Sequence, residues 1–274
     1  MKIKQLLLAT GSLYLAVASV SSHAHDIYIW PDYFTISSDK PTSVPVDITA
    51  THTTFHSDFS MPSEGVKIFG VDGKEIRFRG AFFKGIRRST FDLPVDGDGT
   101  TRLEYWRGPS YRSSYTIGKR ETTKRMVATK SELLAQLPED AKNPETVAYQ
   151  TIGMSFVTNN APTGAVLKPA NKGVELVPLT HPADYVTGED LEVALLSEGK
   201  PIAGQEVTIE LEGPQYQASP VVLELTSDDE GKVSFSFEQG GRYMMKVIHS
   251  QPSTDPEADI QRTRIYYAFE VIYE

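Results

Sequence analysis

Apolar and polar positions alternate with a period of two along most of the chain. IYIWPDYFTI (27–36), SVPVDITATHTTF (43–55), VKIFGVDGKEIRFRGAF (66–82) and TTRLEYW (100–106) mix β-branched and aromatic residues with Gly, Asp and Pro punctuation. That is the composition of strands separated by turns. VDGK at Val71–Lys74 is an Asp-Gly hairpin signal between two alternating segments. DGDG at Asp96–Gly99 has the look of a calcium loop but lacks the spaced acids and the closing glutamate, and reads as a turn.

The rhythm breaks over 109–150. YRSSYTIGKRETTKRMVATKSELLAQLPEDAKNPETV carries clustered positive charge and a short helix pattern from Ser131 to Leu137, with Ser131 as cap and Pro138 as stop. The segment is expected to be a long, partly helical loop solvated on an acidic body, with an anion-binding patch as the alternative use of its charge. Past NNAPTGAVLKPANKG (159–173) the alternation returns over 173–213, 221–250 and 262–274, about seven short strands with a D-x-x-G turn in TSDDEGK. The expected architecture is all-β. It comprises an N-terminal β-sandwich over 25–165 that holds the loop and an immunoglobulin-like sandwich over 172–274.

The first residues modify this picture. MKIK followed by LLLATGSLYLAVASV is a basic end and a short apolar run, the form of a cleavable secretory leader ending at Ala24, or alternatively at Ser22. Export places the mature chain in the periplasm, and no later stretch is apolar enough for a membrane helix. Loss of Lys2 and Lys4 takes the formal charge from −9 to −11. Such a balance disfavours nucleic acid as a partner. With no cysteine there is no disulfide, thiolate nucleophile or zinc–thiolate site.

Candidate chemistry rests on six histidines. A cut after Ala24 makes His25 the first residue, so its α-amine and imidazole form a chelating pair that another imidazole would complete. A cut after Ser22 gives His-Ala-His, a square-planar chelate for copper or nickel. Either end is nitrogen-only and suits copper(II), nickel(II), cobalt(II) or zinc. His52 and His56 lie four apart after the second strand, with His56 in reserve. His249 ends GGRYMMKVIHS on the face of Tyr243, Met245 and Val247, opposite Met244, Lys246 and Ile248. His181 precedes a proline and reads as architectural. Asp26 and Asp184 are reserve oxygen ligands or partners that orient an imidazole. No G-x-S-x-G, phosphate-cradling loop or H-E-x-x-H is present.

HDIYIWPDYFTI after a leader, GVELVPLTHPADYVTGEDLEV, GKPIAGQEVTIE, TSDDEGKVSFSFEQGGRYMMKVIHS and the closing YYAFEV together resemble the DUF4198 family. The resemblance spans nearly the whole mature chain and implies a NikM-like periplasmic component of nickel or cobalt uptake. It also implies a histidine after the second strand (His52) and one at the end of the Gly-Arg-Tyr strand (His249). The expected function is a non-enzymatic, divalent-metal-binding accessory protein using His25, His52 and His249, with an inner-membrane metal transporter as partner. The alternatives are a copper carrier resembling the CopC proteins and a metal-free interaction module. A copper oxygenase is disfavoured, because no planar aromatic platform is identifiable.

Overall fold

A computed structural model describes residues 26–78, 80–219 and 221–274. The leader, His23, His25 and both cleavage sites lie outside them. The chain is all-β, with β1 (Asp26–Pro31), β2 (Thr42–Thr51), β3 (Val66–Phe69), β4 (Ser89–Val95), β5 (Gly99–Ile117) and β6 (Thr122–Met126). There follow α1 (Lys130–Ala135), β7 (Lys142–Asn159), β8 (Val174–Pro178), β9 (Leu191–Ser197) and β10 (Glu206–Leu211). β11 (Val221–Thr226), β12 (Lys232–Phe235), β13 (Gly241–Pro252) and β14 (Ile260–Val271) complete the set, apart from strands of two or three residues.

The long loop expected over 109–150 is mostly strand. β5 and β7 are an antiparallel pair of 19 and 18 residues, and β6 folds back onto the end of β5. The helix exists but starts earlier than its sequence suggests. Thr129 is the cap, in a capping box with Glu132, and the helix ends at Ala135. Serine caps somewhat better than threonine by type, but the reciprocal glutamate three residues on decides for Thr129. The turn signals are where the pattern puts them. Gly73 closes the 66–76 hairpin at φ 79°, a left-handed conformation that glycine adopts without a steric penalty.

Three sheets form three layers. A ten-stranded central sheet runs β11–β10–β13–β14–β7–β5–β3, and within it β7 and β14 pair in parallel from Val147↔Ile260 to Met154↔Tyr267. Strands from before and after residues 160–172 are thus hydrogen-bonded into one sheet. A four-stranded sheet built on β8, β9 and β12 covers one face of it. There Ile152, Met154 and Phe156 of β7 meet Leu191, Val193 and Leu195 of β9 in one core with Tyr243, Met245 and Val247. A five-stranded sheet built on β1, β2 and β4 covers the other face, where Val157 joins Val46, Ile48 and Leu93.

β1 is the edge strand of its sheet, yet Ile27–Pro31 are all buried. Ile27 and Ile29 enter the core between the five-stranded and central sheets, while Tyr28 and Trp30 pack on Met244, Tyr266 and Ala268. Burial on both faces explains why IYIW is continuously apolar. Those four side chains represent roughly 6–12 kcal/mol of gross transfer free energy before chain entropy. The backbone of β1 crosses β7 at Gly153, where a Cβ would lie 3.0 Å from the Ile27 carbonyl oxygen and 3.3 Å from the Ile29 nitrogen. Gly153→Ala is therefore expected to cost about 1–3 kcal/mol. Gly164→Ala, where a Cβ meets nothing within 4 Å, should stay within about 0.5 kcal/mol. Urea denaturation compares the two, and equal effects would refute the tight crossing.

Candidate functional site

The start of β1 is the most elaborate polar site among the described residues. Asp26 pairs with Thr51, the last residue of β2, so the chain enters the fold beside the 52–58 loop. The Asp26 carboxylate accepts hydrogen bonds from the Tyr266 hydroxyl (2.6 Å), the Lys246 ammonium (3.0 Å) and the Tyr28 hydroxyl (3.3 Å). Lys246 also donates to Glu210 of β10 at 2.8 Å, and Glu210 accepts from the Thr54 hydroxyl. Thr54 in turn shares a hydrogen bond with Tyr28 at 3.1 Å. Four strands, β1, β10, β13 and β14, and the 52–58 loop thus meet in one ring of hydrogen bonds.

Asp26, Glu210 and Lys246 retain only 22%, 13% and 17% of their side-chain exposure. Two carboxylates this far from water need a cation, and Lys246 is that cation. Burial, then the Asp26 carboxylate, pushes the Tyr28 and Tyr266 hydroxyls well above the ordinary tyrosine range, so both stay protonated and donate. Beside the ring stands an aromatic cluster. Phe55, at φ 59°, sets its ring 5.8 Å from Trp30 and 6.2 Å from Tyr28.

The predicted ligands are scattered. His52, exposed just past β2, has its Nδ1 3.4 Å from Asp58 and its backbone N–H bonded to the same carboxylate. Those contacts, the backbone hydrogen bond first, hold Asp58 below the ordinary carboxylate range. His56 lies within hydrogen-bond distance of Gln215 through Nε2, at 3.1 Å. Asp184 is exposed in a short turn whose N–H bonds His181.

His181 is architectural. Its Nδ1 accepts from the Ala183 N–H at 3.1 Å, so Nε2 carries the proton and donates to Thr100 Oγ1 at 3.0 Å.

His249 does not reach the start of β1. Strand alternation sends it with Val247 and Met245 to the opposite face of the central sheet, where Nδ1 is 2.9 Å from Gln205. The residue of β13 that meets Asp26 is Lys246. The expected metal site of His25, His52 and His249 is corrected at His249, because strand side chains change face at every residue. Among the described residues no group of three or more His, Asp or Glu is arranged to hold a metal. A signal for Lys246 was present in the sequence, since a lone lysine between Met244 and Ile248 on one face demands a buried acid. Asp26, expected as a reserve oxygen ligand or a partner that orients an imidazole, accepts from Lys246 instead.

The family model described as a domain of unknown function, DUF4198, matches residues 22–251. The chain belongs to that family. No curated protein matches the chain. Similar solved structures include the D0–D1 domain of intimin, 10% identical over 88% of this chain and 96% of that one, with a TM-score of 0.20. The Yersinia pseudotuberculosis adhesin InvE is 11% identical over 88% and 58%, at 0.22. The FN1–FN3 domains of chicken CNTN1 are 8% identical over 89% and 97%, at 0.22. Likenesses of this size carry nothing about function. No helix among the described residues is long and apolar enough to cross a membrane.

Lys246→Met should cost about 2–4 kcal/mol by stranding two carboxylates, the lower end set by the water that still reaches them. A loss below about 0.5 kcal/mol in chemical denaturation would mean that the ring is solvated and uncoupled. Burial lowers the His249 pKa, partly opposed by its bond to Gln251. A histidine held neutral in the fold gains its proton on unfolding, so this contribution to stability is complete above about pH 6.5 and is lost as pH falls toward the folded value. His249→Gln should flatten the stability–pH profile just below pH 6.5, and an unchanged slope would refute it.

Proposed function

We propose that the mature protein is a periplasmic, non-enzymatic carrier of a divalent transition metal, bound where the chain enters β1 by the α-amine and imidazole of His25 and the imidazole of His52. One observation carries the reading: the antiparallel register Asp26↔Thr51. These two residues flank the proposed ligands in sequence: Asp26 directly follows His25, and Thr51 directly precedes His52. The ring of Asp26, Lys246, Tyr266 and Glu210 fixes the end of β1 that follows His25 in sequence, and Asp58 orients the His52 ring as carboxylates commonly orient metal-binding imidazoles. His249 takes no part. The two histidines and the amine are nitrogen donors, which suit nickel(II), cobalt(II), copper(II) and zinc(II). Nickel or cobalt delivered to an inner-membrane transporter accords with the resemblance noted above, and a strong preference for copper would favour the CopC-like reading instead. In this reading residues 25–165 and 172–274 are two sandwich units, the second immunoglobulin-like, joined through the central sheet.

Protein processed in the periplasm should begin at His25 by intact mass, and a start at His23 would replace the amine–imidazole pair by the His-Ala-His chelate. Titration calorimetry with each of the four metals should give affinities at least about tenfold weaker for His52→Ala and for a form with one extra residue ahead of His25. Binding should weaken below about pH 6.5, because ligating imidazoles must be neutral. Equal affinities for the native and extended forms would refute the amine as ligand, and wild-type binding by His52→Ala would refute the pair.

A further inference from the structure

The same face of the central sheet carries a second feature beyond the end of β1, a groove of about 590 Å³ floored by β5, β7 and β14 and bounded by β6. Five arginines line it: Arg107 and Arg112 from β5, Arg125 from β6, Arg262 and Arg264 from β14. Register explains their common face. Arg112 lies opposite Val147, Ser110 opposite Tyr149, and Arg107 opposite Thr151, while Tyr149 and Thr151 pair on their other side with Arg262 and Arg264. A bulge between Tyr149 and Thr151 returns Arg107 to the face of Ser110 and Arg112, and Gly108 makes it possible at φ 114°.

The chain has 36 acidic and 27 basic side chains, so partners for five arginines are plentiful. Even so, none of the five forms an ion pair among the described residues, although Arg88, Arg102 and Arg242 do. The only carboxylate on the groove is the exposed Glu145, opposite Ser114 toward the β6 end. The other end is held in place without being neutralised. The guanidinium carbons of Arg264 and Arg262 stand 4.8 and 5.6 Å from the Tyr149 ring centre, and Arg262 is also tied to Ser250 at 2.8 Å and to the Tyr149 hydroxyl at 3.3 Å. The Nε of Arg264 is buried and has no hydrogen-bond partner. A buried, charged donor left unmatched is costly.

We propose that this groove binds a small oxyanion carrying at least two carboxylate or phosphate groups. Planar guanidinium forks match such groups in bidentate geometry. Stacking on Tyr149 fixes two of the forks before a ligand arrives, which lowers the ordering cost of binding. The hydroxyls of Ser110 and Thr151 add neutral donors on the same floor. The volume falls within the range of small-molecule sites. The site is independent of any metal, since no His25 or His52 atom is required.

The test is titration calorimetry on metal-stripped mature protein, with tripolyphosphate and with citrate, at ionic strength matched by sodium chloride. At least one anion should bind. Its affinity should fall about tenfold or more in Arg264→Gln and in the exposed-site variant Arg107→Gln, as expected for loss of one charge-assisted hydrogen bond. It should also fall as salt rises. Binding of tripolyphosphate alone would assign the ligand to phosphates, citrate alone to carboxylates, and both to their shared chemistry. Lys168→Gln, which removes a positive charge elsewhere, should bind as wild type does. The proposal is overturned if neither anion binds above the chloride background, if both arginine variants bind normally, or if Lys168→Gln weakens binding equally.

Discussion

The two-sided burial of β1 is the constraint on which the rest of the arrangement depends. A strand hydrogen-bonded along one edge only, yet enclosed on both faces, must lie almost against the backbone beneath it, and Gly153 of β7 is what makes that approach possible. Once β1 is seated, its alternation divides the molecule. Ile27 and Ile29 close the core under the five-stranded sheet, and Tyr28 and Trp30 seal the central sheet over Met244 and Tyr266. The first described residue, Asp26, is then carried to Lys246 and Tyr266, more than 200 positions away in sequence.

That long-range ring has an electrostatic logic. Lys246 compensates both Asp26 and Glu210 in a place with little water. Such a ring contributes less to net stability than its number of bonds suggests, because desolvation offsets much of the attraction. Its effect is positional: the entry point of the chain, the loop over 52–58 and β10 are locked in one geometry. The carboxylates are committed to an internal cation, so any metal chemistry nearby falls to nitrogen donors.

Just beyond, the same sheet face changes character. The rings that cover it near β1 give way to Tyr149 with arginines packed against its ring, on a chain whose overall charge is negative. Unpaired positive charge concentrated on one groove of an acidic molecule focuses field there, while the surrounding surface repels anions. Anion recognition and metal recognition would then be neighbouring properties of one face.

Much of this was readable in the chain. The period-two pattern gave an all-β fold, the Asp-Gly and D-x-x-G turns, and the face on which Tyr243, Met245 and Val247 lie, because strand geometry ties side-chain direction to sequence parity. IYIW, grouped with the alternating strands, is unbroken because the structure covers β1 on both sides. The 109–150 segment was misread as loop because solvent-facing strands tolerate charge, and their pairing to a partner strand leaves no local trace. Parity alone also placed His249 and Lys246 on opposite faces, but which face meets the start of β1 depends on how sheets stack. That stacking, the parallel pairing of β7 with β14, and the gathering of five arginines from three strands are set by contacts far apart in sequence. Only packing in three dimensions decides them, since the energy that selects a sheet neighbour resides in surfaces that do not exist until both strands are in place.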